Sequence, residues 1–144
     1  LQIEHLSEIT PTELTAIMTI WLDGNLDAHS FIDGDYWRQH QSEVQSQIKE
    51  AEIYVARDEG EIVGFAGMVD RYLAGIFVKT GYRDDGIGSL LLFALEADYR
   101  LIKLDVFEEN QKAVHFYDQH GFSISKTHTD PELNVTELTM KWQA

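Results

Sequence analysis

Hydrophobic and polar residues change their spacing repeatedly along this chain, and each change marks a new element. Gln2 to Leu6 alternates as a short strand does. Thr10-Pro11-Thr12-Glu13 then combines a capping box with proline at the first helical position. The helix it predicts carries Leu14, Ile17, Met18 and Trp21 on one face, and Gly24-Asn25 is expected to end it. A second helix is predicted from near Asp35, with Trp37, Val44 and Ile48 on its apolar side. Beyond it the period falls to two. Ile53 to Ala56 and Ile62 to Val69 read as strands joined by the turn Asp58-Glu59-Gly60, and Tyr72 to Val78 as a third.

Helical spacing returns from Gly86 to Tyr99, with Ile87, Leu90, Leu91, Ala94 and Leu95 predicted to face inward. Leu101 to Phe107 is a strand. Asn110 as N-cap and Gly121 after the last turn bracket a helix through Ala113, Phe116 and Tyr117. Phe122 to Thr127 and Val135 to Trp142 finish the chain as strands. The order β-α-α-β-β-β-α-β-α-β-β places helices on a largely antiparallel sheet containing one strand–helix–strand crossover.

Composition narrows the classes. The 144 residues, 44% hydrophobic and 25% charged, suit one globular domain spanning residues 1–144. No cysteine is present, which excludes disulfides, thiolate metal sites and a cysteine nucleophile. The longest apolar run, Leu90 to Leu95, is too short to cross a bilayer, and the N-terminus is unlike a signal peptide; a cytoplasmic protein is expected. A formal charge of −14 argues against nucleic acid as a partner. The charge is uneven: residues 1–70 carry three basic and fourteen acidic side chains, net −11, and residues 71–144 carry eight and eleven, net −3. Acidity can serve solubility alone. It can also draw a cation to the first half and leave the second for an anion.

The segment from Gly75 to Leu91 carries the most chemistry. An apolar strand runs into a loop holding Arg83, Gly86 and Gly88, and a helix starts at once. Glycines let a backbone approach a ligand closely, and the unpaired amides of a helix start point at it with the positive dipole end behind them. That combination suits a pyrophosphate. A dinucleotide-binding fingerprint would need a third glycine where Leu91 stands, and a P-loop would need lysine where Ser89 stands. A glycine turn before an ordinary helix is the plain alternative.

Two patterns lie in order along the chain: Arg83-x-x-Gly86-x-Gly88 after the strand, then Asn110-x-x-Ala113-x-x-Phe116-Tyr117-x-x-x-Gly121-Phe122. Together they resemble the motifs of the GCN5-related N-acetyltransferase family, and the strand order agrees over nearly the whole chain. Trp21-Leu22-Asp23, His29-x-Phe31-Ile32 and Tyr36-Trp37-Arg38 additionally resemble the small bacterial YiaC-type members, some of which acetylate protein lysines. The resemblance implies an α/β (α+β) fold: a mixed, largely antiparallel sheet of about seven strands with about four helices. It implies acetyl-coenzyme A as cosubstrate and a cationic primary amine, on a protein or a small molecule, as acceptor.

Residue roles follow from the resemblance. The amides of Arg83, Asp84, Asp85, Gly86, Ile87, Gly88 and Ser89 would hold the pyrophosphate, although the two aspartates are unexpected beside an anion. The backbone of Phe77 and Val78 would pair with the pantetheine arm, and Asn110 would cap its helix and touch the cofactor. Tyr117 would be the general acid; its hydroxyl, pKa near 10, is close enough to a thiol at about 8.5 to protonate the departing thiolate. Its plain alternative is a core aromatic. Asp105, between Leu104 and Val106, stands where some members carry a glutamate base. A lysine amine is free-base in roughly one molecule in a thousand or fewer at neutral pH, so a base would matter. Solvent-facing Asp105 is the alternative.

Trp21, His29, Phe31, Tyr36 and Trp37, set among carboxylates, are candidates to hold the alkylammonium group, with at least half of them expected in the core. No metal site is expected: Asp23-x-Asn25-x-Asp27 opens like a calcium loop but lacks its later ligands, and His115 and His120 fall on different helix faces. A monomer or homodimer is expected, working without a covalent intermediate. A polyamine or amino-sugar acetyltransferase, or a non-catalytic acyl-coenzyme A sensor, would share these signals.

Overall fold

The computed structural model describes all residues, 1–144. Seven strands form one sheet: β1 (Gln2–His5), β2 (Glu52–Asp58), β3 (Glu61–Val69), β4 (Tyr72–Val78), β5 (Leu101–Phe107), β6 (Ser123–Thr129) and β7 (Thr136–Gln143). The helices are α1 (Pro11–Ala28), α2 (Gly34–Gln39), α3 (Gln41–Glu50), α4 (Ile87–Asp98) and α5 (Gln111–Gln119), five where about four were expected. The sheet order is β1-β2-β3-β4-β5-β7-β6. Every neighbouring pair is antiparallel except β4–β5, which α4 connects as a parallel crossover. No helix is long and apolar enough to cross a membrane.

Alternation on the strands sorts the core into two layers. Ile102, Leu104 and Val106 of β5 turn to the side of α4 and α5, joining Leu91, Leu92, Leu95, Tyr117 and Phe122. Ile53 and Val55 of β2 turn the other way, to Leu14, Ile17, Ile20 and Trp21 of α1 and to Trp37 and Ile48. Burying each such aliphatic side chain contributes roughly 1.5–3 kcal/mol of transfer free energy, which is why the period of the pattern dictates the face.

Local signals explain the starts of the helices better than their ends. Thr10 and Glu13 form the expected capping box, with Thr10 Oγ1 accepting from Glu13 N–H at 3.2 Å. The expected stop at Gly24-Asn25 does not occur. Asn25 is buried and its amide donates to Trp21 O (3.0 Å) inside the helix. Gly24 lies where a Cβ would come within 2.9 Å of the Phe77 ring, so this glycine permits packing. The single helix expected from near Asp35 is two, because His40 takes φ −92°, ψ 0° between α2 and α3. Leu90, expected to face inward, is 41% exposed, and Leu92 occupies the core in its place.

Candidate active site

The sheet opens where the crossover joins it. β4 and β5 are in register only at Tyr72 and Lys103, near the start of each strand. Beyond that point the strands part, and a cavity of about 700 Å³ lies at the opening. Ile76, Phe77 and Val78 line it from β4, Asn110, Ala113, Phe116 and Tyr117 from α5 and its cap, and Gly86 to Ser89 from the start of α4.

Backbone polarity in this opening follows from the ladder on its far side. Lys79 N–H donates to Val63 O at 2.8 Å. Antiparallel bonds recur at every second residue, so Phe77 is paired with Phe65, while Ile76 and Val78 turn their peptide groups toward the parted β5. The Phe77 backbone, expected to face a ligand, is therefore committed to β3; its ring, stacked on Phe65 at 5.3 Å, lines the cavity instead. Ile76 takes its place at the gap. Arg83 Nε donates to Val78 O (2.9 Å), which leaves the Val78 N–H as the free donor there.

The loop between β4 and α4 presents a second group of donors. Gly86 has φ +81°, a left-handed conformation that glycine adopts without strain, and this turn sets the first turn of α4 against the cavity. The first α-helical bond of that turn runs from Leu90 N–H to Gly86 O (3.1 Å), so the amides of Ile87, Gly88 and Ser89 have no partner in the helix. Side chains cap α1, α2 and α5 through Thr10, Asp33 and Asn110, but none caps α3 or α4. At Gly88 a Cβ would sit 3.4 Å from Phe116, an ordinary van der Waals contact, so packing alone does not demand glycine there.

Charges around the loop are already partly engaged. Arg83 donates to Asp27 at 2.8 Å, strapping the loop to the last turn of α1. Asp84 lines the cavity and faces Lys112 Nζ at 3.4 Å across its mouth. Both are largely exposed, so this pair contributes little to stability. Lys112 escaped sequence analysis, since nothing in its own segment signals its placement opposite the loop. Asp85 is exposed and lies outside the cavity lining.

Tyr117 is 7% exposed, lies between the rings of Phe116 and Phe122, and lines the cavity. Burial pushes its hydroxyl well above the usual tyrosine range, so it stays protonated in the free protein but is a weaker acid toward a thiolate than the ordinary values suggest. Asn110 serves its helix as expected, accepting from Ala113 N–H at 3.3 Å, and it also faces His29 Nε2 at 3.2 Å. His29 is packed against Trp37, Phe31 and Phe107. Burial lowers its pKa to about 4, so it lines the cavity as a neutral ring.

The remaining acceptor candidates divide as their burial dictates. Trp21 and Trp37 are core residues, 7% and 8% exposed, and neither reaches the cavity. Phe31 and Tyr36 stay half-buried beside them, also outside its lining. Three of the four carboxylates that act on Tyr36 come from the second half of the chain and one, Glu43, from the first. Burial, then Glu132, Asp130, Glu43 and Glu137, raise the Tyr36 pKa. Asp105 is exposed on the α1–α3 face of the sheet, outside the cavity lining, and accepts from Tyr72 Oη (3.0 Å) and Thr139 Oγ1 (2.5 Å). It stands on the parted stretch of β5, two residues before Phe107, whose ring meets His29 at 5.1 Å.

An uncapped helix start beside a sheet parted between parallel strands offers an anion site next to a free strand edge. Residues 14–122 match the Acetyltransferase (GNAT) family, and the chain belongs to that family. It is an N-acetyltransferase that uses acetyl-coenzyme A as cosubstrate to acetylate an amine. Over 137 residues it is 30% identical to the peptidyl-lysine N-acetyltransferase YiaC of Escherichia coli (strain K12), covering 94% of each chain. The apo-form solution structure of YjaB from Escherichia coli superposes with a TM-score of 0.84 at 23% identity, covering 98% of this chain and 96% of the other. The PaiA N-acetyltransferase of Thermoplasma acidophilum, solved with coenzyme A, gives 0.80 at 17% identity over the full length of both. These two likenesses speak for the fold.

Proposed function

We propose that residues 1–144 act as one catalytic domain that acetylates a lysine side chain on a protein, in a cytoplasmic setting. The diphosphate of acetyl-coenzyme A lies on the amides of Ile87, Gly88 and Ser89, and the pantetheine arm extends along Ile76 and Val78 as an added strand. One observation carries this reading: the Val78 N–H, the α4 amides and Tyr117 surround a single cavity.

The chemistry follows from the placement. The neutral amine attacks the thioester carbonyl carbon, and the Val78 N–H stabilises the oxyanion that forms. The carbon–sulfur bond then breaks and Tyr117 Oη protonates the departing thiolate. The amine approaches from the α1–α3 face, where Asp105 and Glu137 surround Tyr72 and an alkylammonium group is favoured. Asp105 accepts the amine proton through water. The likeness to YiaC supports lysine as acceptor, as does this acidic face.

Thiol release from acetyl-coenzyme A should be measured with lysine peptides, N-terminal-amine peptides, a polyamine and an amino sugar. Release with lysine peptides, and acetyl-lysine in their mass spectra, is expected. Release with a small amine alone would replace the acceptor assignment. Binding of the cofactor without release to any amine would make the protein a sensor.

A further inference from the structure

Ser89 stands in the first turn of α4, lines the cavity, and contacts His120 of the α5 cap: Oγ to Nε2 is 2.9 Å. The other ring nitrogen, Nδ1, lies 2.7 Å from Phe116 O. A carbonyl oxygen only accepts, so Nδ1 carries a proton. In the neutral ring Nε2 is then a bare acceptor, and the Ser89 hydroxyl must donate to it. The hydroxyl thus turns its proton away from the cavity and shows it only lone pairs.

That arrangement opposes an anion. For Ser89 to donate to a phosphate oxygen its proton must rotate into the cavity, leaving two lone pairs facing each other across 2.9 Å. A proton on Nε2 removes the conflict: the imidazolium donates to Ser89 Oγ, and the Ser89 hydroxyl is released toward the ligand. A positive charge is added one hydrogen bond away. His120 itself is outside the cavity lining.

We propose that His120 is a positioning residue which takes up a proton from solvent when the diphosphate binds, and so converts Ser89 from a bystander into a phosphate donor. The inference rests on the assignment of the α4 start as the diphosphate site. Around the ring, α4 contributes Phe93 and Glu96, and α5 contributes Phe116 and the neighbouring Asp118. Glu96 is the α4 carboxylate that feels the His120 charge. The monoester phosphate on the ligand's ribose also titrates, at about pH 6, so each variant is compared with wild type at the same pH.

The test is the affinity for coenzyme A, by calorimetry from about pH 6 to 8.5, of wild type, Ser89→Ala, His120→Gln and Glu96→Gln. The ratio of Ser89→Ala to wild-type Kd should rise about fivefold toward the acid end, the effect of a proton bound with the ligand. His120→Gln, whose uncharged amide can donate to Ser89 at any pH, should lose that pH dependence and bind more weakly than acidified wild type; Glu96→Gln should keep the pH dependence. NMR of the His120 ring should show its titration moving to higher pH on ligand addition, in wild type and not in Ser89→Ala. A Kd ratio independent of pH, or an unmoved titration with ligand bound, overturns the proposal. Absence of coenzyme A binding by folded wild type overturns the diphosphate assignment and this inference with it.

Discussion

Replacing His29 by phenylalanine should make the protein less sensitive to acid. In the fold, burial lowers the imidazole pKa from 6.5 to about 4. Asn110 Nδ2 donates to its Nε2 (3.2 Å), so the neutral ring carries its proton on the partnerless Nδ1, and a second proton would have to displace the Asn110 bond. Between those two values the unfolded chain binds a proton that the folded chain does not, and stability must fall as pH falls through that window. From pH 7.5 to 5 the unshielded loss is about 2 kcal/mol, at 1.36 kcal/mol per unit. Part of the ring faces the cavity and solvent, which should reduce this to roughly 1 kcal/mol. His29→Phe keeps the stack on Trp37 and removes the titration. Urea unfolding at pH 7.5 and 5 should show wild type losing about 1 kcal/mol more than the variant, a midpoint difference of about 0.5 M for a urea slope near 2 kcal/mol per molar. Equal losses in the two proteins would refute the claim that His29 is held neutral by burial.

Other substitutions separate the proposed roles. Tyr117→Phe should lower kcat at least about tenfold with nearly unchanged coenzyme A affinity, since the hydroxyl is asked only to protonate the leaving group; an unchanged kcat removes it from the mechanism. Gly86→Val forces a β-branched side chain into a left-handed turn at a cost of about 1–2 kcal/mol, and calorimetry should find coenzyme A binding weakened about tenfold or more. Asp105→Asn should depress kcat/KM for a lysine peptide about tenfold and leave coenzyme A binding alone; equal activity would exclude Asp105 as proton acceptor.

Sequence read well where the determinant is local. Thr10 and Asn110 cap the helices they were expected to cap, because a cap needs only residues three apart. The Arg83-x-x-Gly86-x-Gly88 loop was legible for the same reason: its turn and helix start are written in six residues. Determinants that act between distant segments were not legible. Gly24 looks like a helix stop until Phe77, fifty residues away in the chain, is seen to fill the space beside it. Trp21 and Trp37 share the helical spacing of core residues and of a binding face, and only the packing of α1 on α2 makes them core. Lys112 and Ile76 gain their positions from the parting of β4 and β5, a register that neither strand encodes alone.

In the proposed mode of binding, main-chain amides at the start of α4 and at Val78 receive the cofactor. Amide NMR of the labelled protein during addition of coenzyme A observes those groups directly. The largest shifts should fall on Gly86, Ile87, Gly88, Ser89 and Val78, with little change at the start of α1, which its own side chains already cap. Shifts confined to other segments, or none in a well-dispersed spectrum, would contradict it.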